Sequence, residues 1–444
     1  MSVDSRGSLK RLTVAGVEDI RFWRASGRER CDVEMDSTMT DDRSTAATSA
    51  PPTPTPPASH TTLATSLAHV GTFPPTQCGL ATFGAALVDA MSRVSPSTRL
   101  GVVDVVEHQR RGDPRVGAQL VNGRPDSLAV AAGFIDDHDA LVVEHEFGIY
   151  GGRDGDELLD LLDLTRRPAF TVLHTVLAEP TPHQRGIIER LGTRSDALVV
   201  MSRAANDRLL RAYSVDPAVV HVVPHGAHPN PPRLGERPHG VRPVVLTWGL
   251  LGPGKGIEAG IDAMAALRDI IPLPRYIVAG ETHPKVLERA GESYRLELMA
   301  RATERGVADM VEFDATYRSV ASLNELIRTA DVVLLPYETR EQVTSGVLIE
   351  AVASERPVVA TDFPHARELL EPGAGIVVGH EDPVALAKAL RLALCDQRLA
   401  ASMRAAARRA AAEASWPAVA RRYLDIVRVG LVSRSDSDRS DRVA

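Results

Sequence analysis

The sequence predicts an α/β protein of two doubly wound, Rossmann-like domains with a ligand cleft between them. The chain has 444 residues and is 44% hydrophobic, which allows two domains at about 150 residues each. Short apolar runs alternate with amphipathic stretches, a pattern typical of parallel βα units. A Pro-rich segment at 229–243 divides these runs into two groups of similar size.

The apolar runs are continuous, as expected for strands buried on both faces of a parallel sheet. In the first half they begin at Leu100, Ala140, Ala169, Ala197 and Val220, and in the second half at Pro243, Arg275, Asp331, Pro357 and Gly375. Amphipathic stretches such as those at 156–167 and 183–194 separate them. Ligands of doubly wound domains bind at the carboxyl ends of the strands, so the loops there are where chemistry is expected.

The two ends of the chain have a different composition. Residues 1–60 are rich in Ser, Thr, Ala and Pro, and 433–444 are mostly polar, so we expect both to be disordered tails. Met35 and Met39 are alternative start positions within the first tail. The remaining chain divides into an N-terminal domain at 61–232 and a C-terminal domain at 233–414.

Composition excludes several classes of protein. The formal net charge of −7 and a pI near 6.1 argue against a nucleic-acid partner. Three separated cysteines, Cys31, Cys78 and Cys395, argue against a disulfide framework and predict a reducing, cytoplasmic location. No apolar run reaches the roughly 20 residues that cross a bilayer, and we expect no signal peptide. Peripheral membrane contact and the oligomeric state stay open.

Two loops contain glycines where a phosphate could approach the backbone. In the first, at 72–83, Gly79 precedes a predicted helix, although an ordinary turn would look the same. In the second, Gly249 and the glycines at 252, 254 and 256 surround Lys255 between a strand and a helix. The chain has only four lysines, at 10, 255, 285 and 388. A lysine at this loop therefore indicates a diphosphate site, although the spacing is not that of a Walker A motif.

A third loop follows the run at Asp331 and ends in Thr344, Ser345 and Gly346. The helix predicted after it is apolar apart from Glu350. An isolated carboxylate there is costly unless it is paired. Glu350 therefore either bonds a ligand hydroxyl or is paired with a nearby arginine.

Histidines follow several predicted strands, namely His145, His174, His225 and His228. Each could face the cleft, although any one histidine is more often a structural residue than a catalytic one. A zinc site is a weak alternative, because these positions lie on different strands without metal-ligand spacing. We therefore expect no metal.

Taken in order, these residues resemble the GT-B glycosyltransferases, and in particular a bacterial subgroup of the retaining family 4, the glycosyl transferases group 1. The resemblance covers about residues 65–430. It is carried by Gly79 in TFPPTQCGLATF, by HEFGIYGG, by His174, by Lys255 after an apolar strand, and by EQVTSGVLIE with PVVAT behind it. The closing EASWPAVARRYLDIV is similar to the family's last helix, so the resemblance implies a crossover helix at 415–432 that returns to the N-terminal domain.

The resemblance implies metal-independent transfer of a hexose from a nucleotide sugar of the GDP-mannose or UDP-glucose type to a saccharide or glycoside hydroxyl, with retention and without a cofactor. Lys255 would bind the diphosphate, Glu350 the ribose, and His174 the transferred sugar. The catalytic set it implies is His174, Lys255, Glu341 and Gln342. The donor-binding set is Gly79, Gly249, Lys255, Ser345, Gly346, Val347 and Glu350, and the acceptor-binding set is His145 and Glu146.

Two positions depart from the family pattern. The family has Glu eight residues before the position of Glu350, where this chain has Gln342, with Glu341 next to it; either one could take the sugar-binding role. Leu250 stands where the family often has an arginine, and Arg318 or Arg340 could supply that charge. Alternatives of the same fold are a nucleotide-sugar epimerase, a glycosyl phosphorylase and an inactive carbohydrate-binding homologue.

Overall fold

The computed structural model describes residues 65–231 and 240–441, with side chains described up to 434. The expected tail at 1–60 and the expected domain boundary at 232–233 lie outside the described residues or at their edge.

The N-terminal half is built on a parallel sheet whose order is β3-β2-β1-β4-β5-β6-β7. Its strand order reverses between β1 and β4, which pair in parallel. A reversal of this kind opens a crevice at the carboxyl ends of the strands. The strands are β1 Ser66–Gly71, β2 Arg99–Val106, β3 Val116–Val121, β4 Ala140–His145, β5 Ala169–Leu173, β6 Ala197–Val200 and β7 Val220–Val222.

The C-terminal half has a second parallel sheet with the order β10-β9-β8-β11-β12-β13. Its reversal lies between β8 and β11. The strands are β8 Val244–Trp248, β9 Arg275–Ala279, β10 Val311–Asp314, β11 Val332–Leu335, β12 Val358–Thr361 and β13 Gly375–Val378. Two parallel sheets with reversed strand order confirm the predicted fold class.

Helices cover both faces of each sheet, and their apolar sides form the buried clusters of each half. In the N-terminal half they are α1 Gly79–Val94, α2 Pro125–Asp136, α3 Glu157–Leu164, α4 Pro182–Arg194 and α5 Arg203–Ala212. The remaining helices are α6 Ile257–Ala265, α7 Pro284–Ala290, α8 Ser293–Glu304, α9 Val320–Thr329, α10 Gly346–Ala353, α11 Pro364–Leu370, α12 Pro383–Cys395, α13 Gln397–Glu413 and α14 Trp416–Asp441. Across the described ranges, no helix is both long and apolar enough to cross a membrane.

The last helix, α14, returns to the N-terminal half and packs on α1. Trp416 at its start lies 5.2 Å from the ring of Phe83, and Val419 and Tyr423 are buried in the same cluster. The helix continues to Asp441, whereas the sequence predicted an end near 432 and a disordered tail from 433. A polar segment can extend an exposed helix once its first turns are held by packing.

Hydrogen bonds join the halves beside the cleft. The Ser202 hydroxyl donates to the carbonyl oxygen of Val343 at 2.6 Å. The Glu368 carboxylate accepts from the backbone N–H groups of Arg203 and Ala204, each at 2.9 Å. Arg203 and Ala204 are the first residues of α5, whose positive end favours a carboxylate. These contacts fix the positions of α5, the loop before α10 and α11 relative to one another.

Candidate functional site

A cavity of about 630 Å³ lies between the two halves. Its N-terminal wall consists of residues 174–179, directly after β5, together with Arg208. Its C-terminal wall consists of Thr339 and residues 341–344, in the loop after β11. The structure therefore places His174 on the opposite wall from Glu341 and Gln342, at the carboxyl ends of both sheets.

The loop that contains Lys255 is held tightly against the segment after β11. Gly256 has a φ of +64°, and a Cβ there would lie 1.8 Å from the carbonyl oxygen of Pro336. Only glycine fits such a position. The backbone N–H of Glu338 also donates to the carbonyl oxygen of Gly254 at 3.0 Å. These contacts place the Lys255 ammonium 4.6 Å above the ring of Tyr337.

The Lys255 ammonium has no carboxylate within ion-pair distance among the described residues. Burial lowers the pKa of Lys255, because removal from water disfavours the charged form. The face of Tyr337 compensates part of this cost through a cation–π contact. A partly buried cation with so little compensation is suited to bind an anion.

The start of α10 lies next to this loop. A Cβ on Gly249 would be 3.8 Å from Cγ2 of Val347. The Ser345 hydroxyl caps the helix by accepting from Leu348 N–H at 3.3 Å, and Ser345 N–H donates to Nδ1 of His365 at 2.8 Å. Ser345 therefore shapes the turn, while the N–H groups of Gly346 and Val347 point out of the first helical turn without a described acceptor.

Glu350 lies one turn into α10 and is paired with an indole. Its Oε2 accepts from Nε1 of Trp248 at 3.2 Å. Burial raises the pKa of the Glu350 carboxyl, and the hydrogen bond from Trp248 opposes the rise. Among the described residues, no arginine forms an ion pair with Glu350, and the indole is its hydrogen-bond partner.

His174 directly follows β5, and its side chain is 11% exposed. Its ring is 4.9 Å from that of Phe83 on α1, and its Nε2 is 3.4 Å from Oε2 of Glu144. Burial lowers the pKa of the His174 imidazole to about 4, although the nearby Glu146 opposes this shift. The ring is therefore neutral near pH 7 and can exchange hydrogen bonds with a sugar hydroxyl.

His225 connects the two walls. A Cβ on Gly346 would lie 3.0 Å from Nε2 of His225, and the His225 ring is 4.9 Å from Phe83. Phe83 follows Gly79 by one helical turn, and a Cβ on Gly79 would meet no atom within 4 Å. Gly79, His174 and Gly346 are thus brought to one region of the cleft, with open space beside Gly79.

The two candidates for the sugar-binding position have different partners. The Glu341 carboxylate is 62% exposed and lies 2.9 Å from the guanidinium of Arg208. The Gln342 amide N–H donates to the carbonyl oxygen of Thr344 at 3.0 Å. Gln342 keeps its amide oxygen as an acceptor, whereas Glu341 is directed to the N-terminal half.

The structure separates the two predicted acceptor residues. The His145 side chain is fully buried, and its ring contacts that of Phe147 at 4.9 Å. An acceptor cannot contact a side chain without exposed surface, so His145 is not an acceptor-binding residue in this structure. Glu146 is only partly buried, and its Oε2 accepts from the hydroxyl of Thr175, a residue of the cavity wall, at 2.5 Å.

The two arginines predicted to supply the charge missing at Leu250 each have an acidic partner. Arg318 is engaged by Asp314 and by the Ser322 hydroxyl. Arg340 is exposed and lies 3.4 Å from the Glu381 carboxylate. Each guanidinium thus has a partner of its own. In the described part of the chain, no three His, Cys, Asp or Glu side chains are grouped so that they could hold a metal ion.

Sequence reasoning missed three residues of the site. Trp248 and Tyr337 each come at the end of a buried strand run, so an aromatic residue at a strand end was the available signal. Arg208 lies on α5 and reaches the cavity with a guanidinium that bonds Val176 and Glu341. Nothing in the sequence around Arg208 indicates that role.

Comparison with known proteins places the chain among glycosyltransferases. Residues 236–410 match the family described as "Glycosyl transferases group 1". The D-inositol 3-phosphate glycosyltransferase of Jonesia denitrificans is 32% identical over 258 residues, which cover 53% of this chain and 58% of that protein. The protein of the same name from Corynebacterium kroppenstedtii is 30% identical over 312 residues, covering 63% and 67%. The match thus spans little more than half of the first relative.

Solved structures share the fold at low sequence identity. HepE from Anabaena, in complex with UDP, has a TM-score of 0.65 and 16% identity, covering 82% of this chain and all of HepE. Sucrose-phosphate synthase from Thermosynechococcus elongatus has a TM-score of 0.64 and 17% identity, covering 83% of this chain and all of that one. These similarities support the two-sheet GT-B architecture.

Proposed function

Because this chain belongs to the glycosyl transferases group 1 family, we propose that it transfers a sugar from a nucleoside diphosphate sugar to an acceptor hydroxyl. The observation that carries the proposal is Lys255. Its partly buried ammonium lies in a glycine loop, above Tyr337 and without a described carboxylate partner. A diphosphate supplies the negative charge that this position lacks.

The other donor contacts follow from the same two loops. The outward N–H groups of Gly346 and Val347 add partial positive charge beside Lys255. Glu350, fixed by Trp248, offers a carboxyl oxygen to the ribose hydroxyls. We propose a uridine nucleotide first, because a structural neighbour was determined with UDP and with UDP-glucose; GDP-mannose is the alternative.

The acceptor enters between residues 174–179 and 341–344. A cavity of about 630 Å³ is of the size that holds a small ligand. We propose a polyhydroxylated acceptor, either a saccharide or glycoside or a cyclitol phosphate such as the one in the relatives' names. The proposed setting is a reducing, cytoplasmic compartment.

The proposed chemistry needs no metal and retains the anomeric configuration. The acceptor oxygen bonds to the anomeric carbon on the face from which the diphosphate leaves, and the departing phosphate oxygen takes the acceptor proton. Lys255 and the N–H groups of α10 stabilise the charge that develops on the diphosphate. We propose no covalent nucleophile, and the nearby carboxyl groups of Glu341 and Glu350 are paired with Arg208 and Trp248.

The test is release of nucleoside diphosphate from UDP-glucose, UDP-galactose, UDP-N-acetylglucosamine, ADP-glucose and GDP-mannose, without added metal. The acceptors are simple glycosides and inositol phosphates. We expect one donor to respond, with product in the anomeric configuration of the donor as read by NMR. Turnover of none of them by folded protein would refute the proposal, and epimers formed without acceptor would favour the epimerase alternative.

The same assay shows whether Glu341 or Gln342 binds the transferred sugar. If Gln342 holds the sugar through its amide oxygen, Gln342→Ala loses activity and Glu341→Gln keeps most of it. The reverse result assigns the sugar contact to Glu341. Equal activity in both variants would remove this loop from the sugar-binding site.

A further inference from the structure

A carboxylate lies beneath the cleft with no exposed surface. Glu144, at the second-to-last position of β4, is 0% exposed. Its Oε1 is 3.2 Å from Nε2 of His69 on β1, and its Oε2 is 3.4 Å from Nε2 of His174. A buried carboxyl group is costly without partners. None of these four atoms has a partner in hydrogen-bond geometry among the described residues, although the two ring nitrogens lie within ion-pair distance of the carboxyl group.

The chain makes space for this group with two glycines. A Cβ on Gly84 would lie 2.6 Å from Nε2 of His69 and 3.1 Å from Oε1 of Glu144. A Cβ on Gly71 would lie 3.2 Å from Cβ of Glu144. Gly71 ends β1 and Gly84 lies within α1. Both elements therefore approach β4 closely because they lack a side chain there, and the carboxyl group fills the space.

Only His174 of this cluster reaches the cavity. Its Nε2 is buried against Glu144, while the exposed part of the ring belongs to the cavity wall. That leaves Nδ1 as the ring nitrogen available to a ligand. A neutral imidazole carries its proton on one nitrogen, and the partner of the other nitrogen decides which one.

We propose that Glu144 is a positioning residue that fixes the orientation and tautomer of His174, so that Nδ1 meets the transferred sugar in one defined hydrogen-bonding state. The inference rests on the proposed function, because it takes His174 as a sugar contact. A carboxyl group with one proton can donate to one ring nitrogen and accept from the other. In the proposed arrangement it serves His69 and His174 together.

The surroundings of Glu144 keep this arrangement neutral. Burial raises the pKa of Glu144 to about 8, although the nearby His69 opposes the shift. Burial lowers the pKa of His69 as well. Tyr150 donates its hydroxyl to the main-chain oxygen of Glu144 at 2.7 Å, and burial raises the pKa values of Tyr150 and of Tyr423 on α14. The shifted pKa values of His69, Tyr150 and Tyr423 therefore favour the uncharged forms of these side chains near pH 7.

The kinetic test compares Glu144→Gln with Glu144→Leu. The amide donates and accepts like the neutral acid, so Glu144→Gln keeps kcat within about threefold. Leu cannot donate or accept a hydrogen bond, so kcat of Glu144→Leu should fall by about tenfold. If Glu144 acts through His174, adding Glu144→Leu to His174→Ala lowers kcat no further. Wild-type kcat in Glu144→Leu, or losses that multiply in the double variant, would overturn the proposal.

A matched control is Asp104→Asn. Asp104 is another fully buried carboxylate, on the neighbouring β2, bonded to Phe73 N–H at 2.9 Å and to Arg110 at 3.1 Å. It tests what loss of a buried carboxyl does to stability alone, so we expect a lower Tm and unchanged kcat. If kcat fell as much in Asp104→Asn as in Glu144→Leu, the effect of Glu144 on kcat would be explained by lost stability and the proposal would be overturned.

A spectroscopic readout does not depend on turnover. In protein labelled with 15N-histidine, the His174 signals, assigned by their loss in His174→Ala, should report a single tautomer in the wild type and exchange between tautomers in Glu144→Leu. If that variant does not fold, Glu144→Met replaces it. Two tautomers in the wild type, or unchanged signals in the variant, would contradict the inference. Absent turnover with a single tautomer would instead count against the proposed function alone.

Discussion

Replacement of Arg208 by glutamine should weaken the junction between the two walls of the cleft. The guanidinium donates to the carbonyl oxygen of Glu341 at 2.6 Å and to that of Val176 at 3.1 Å, and it pairs with the Glu341 carboxylate at 2.9 Å. A hydrogen bond that involves a charged group contributes about 2 kcal/mol. The carboxylate pair adds little, because that side chain is 62% exposed and exposed pairs contribute at most about 1 kcal/mol.

The bond to the Glu341 carbonyl connects the halves, so its loss shifts the balance between joined and separated walls by about 2 kcal/mol, or about thirtyfold. If catalysis requires joined walls, kcat/KM of Arg208→Gln at low donor concentration falls by up to about that factor. Arg211→Gln, an exposed position on the same helix, is the matched control and should keep wild-type kinetics. Equal kcat/KM in the two variants would refute the reasoning.

Three further predictions concern stability and donor binding. Burial lowers the pKa values of His174 and His225 to about 4 and those of His145 and His365 to about 3. Histidine in the unfolded chain takes up a proton near pH 6.5, so below that pH the unfolded chain binds more protons than the folded one. Tm should therefore fall as the pH is lowered from about 6.5 to 4. A Tm that stays constant over that range would contradict this prediction. Gly256→Ala places a Cβ 1.8 Å from a carbonyl oxygen and should prevent folding, whereas Gly254→Ala, with φ of +88° and nothing within 4 Å, should lose about 1 kcal/mol in urea unfolding; equal stabilities would be inconsistent with the packed loop. Trp248→Phe removes the hydrogen bond to Glu350 and should weaken UDP binding, measured by calorimetry, about tenfold. An unchanged affinity would show that the orientation of Glu350 does not affect donor binding.

The strands predicted from the sequence are those with a continuous apolar run, including the half-exposed edge strands β7 and β13. The three strands that were missed, β1, β3 and β10, lack such a run. β3 and β10 lie at the edges of their sheets, where half-exposed positions interrupt the apolar run. β1 carries His69 in its centre, which reads as polar in the sequence. Only the structure reveals that His69 is buried because Glu144 lies opposite it.

The candidate site divides in the same way. Gly249, Gly346, Lys255 and Glu350 could be found because loops after parallel strands meet at one edge of a sheet. Arg208 could not, because its role depends on contacts between residues 133 positions apart. Local sequence carries no record of which distant carbonyl oxygen a guanidinium will reach.

The most direct test of the central claim is the affinity of a nucleoside diphosphate for the Lys255 site. Binding of UDP, with GDP in parallel, would be measured by calorimetry for the wild type, Lys255→Gln and Lys388→Gln, in which the replaced residue is an exposed lysine on α12. We expect one nucleotide to bind the wild type and Lys388→Gln equally, and Lys255→Gln at least about tenfold more weakly. Equal affinities in all three proteins, or no binding of either nucleotide to the wild type, would contradict the assignment of this cleft to a nucleotide sugar.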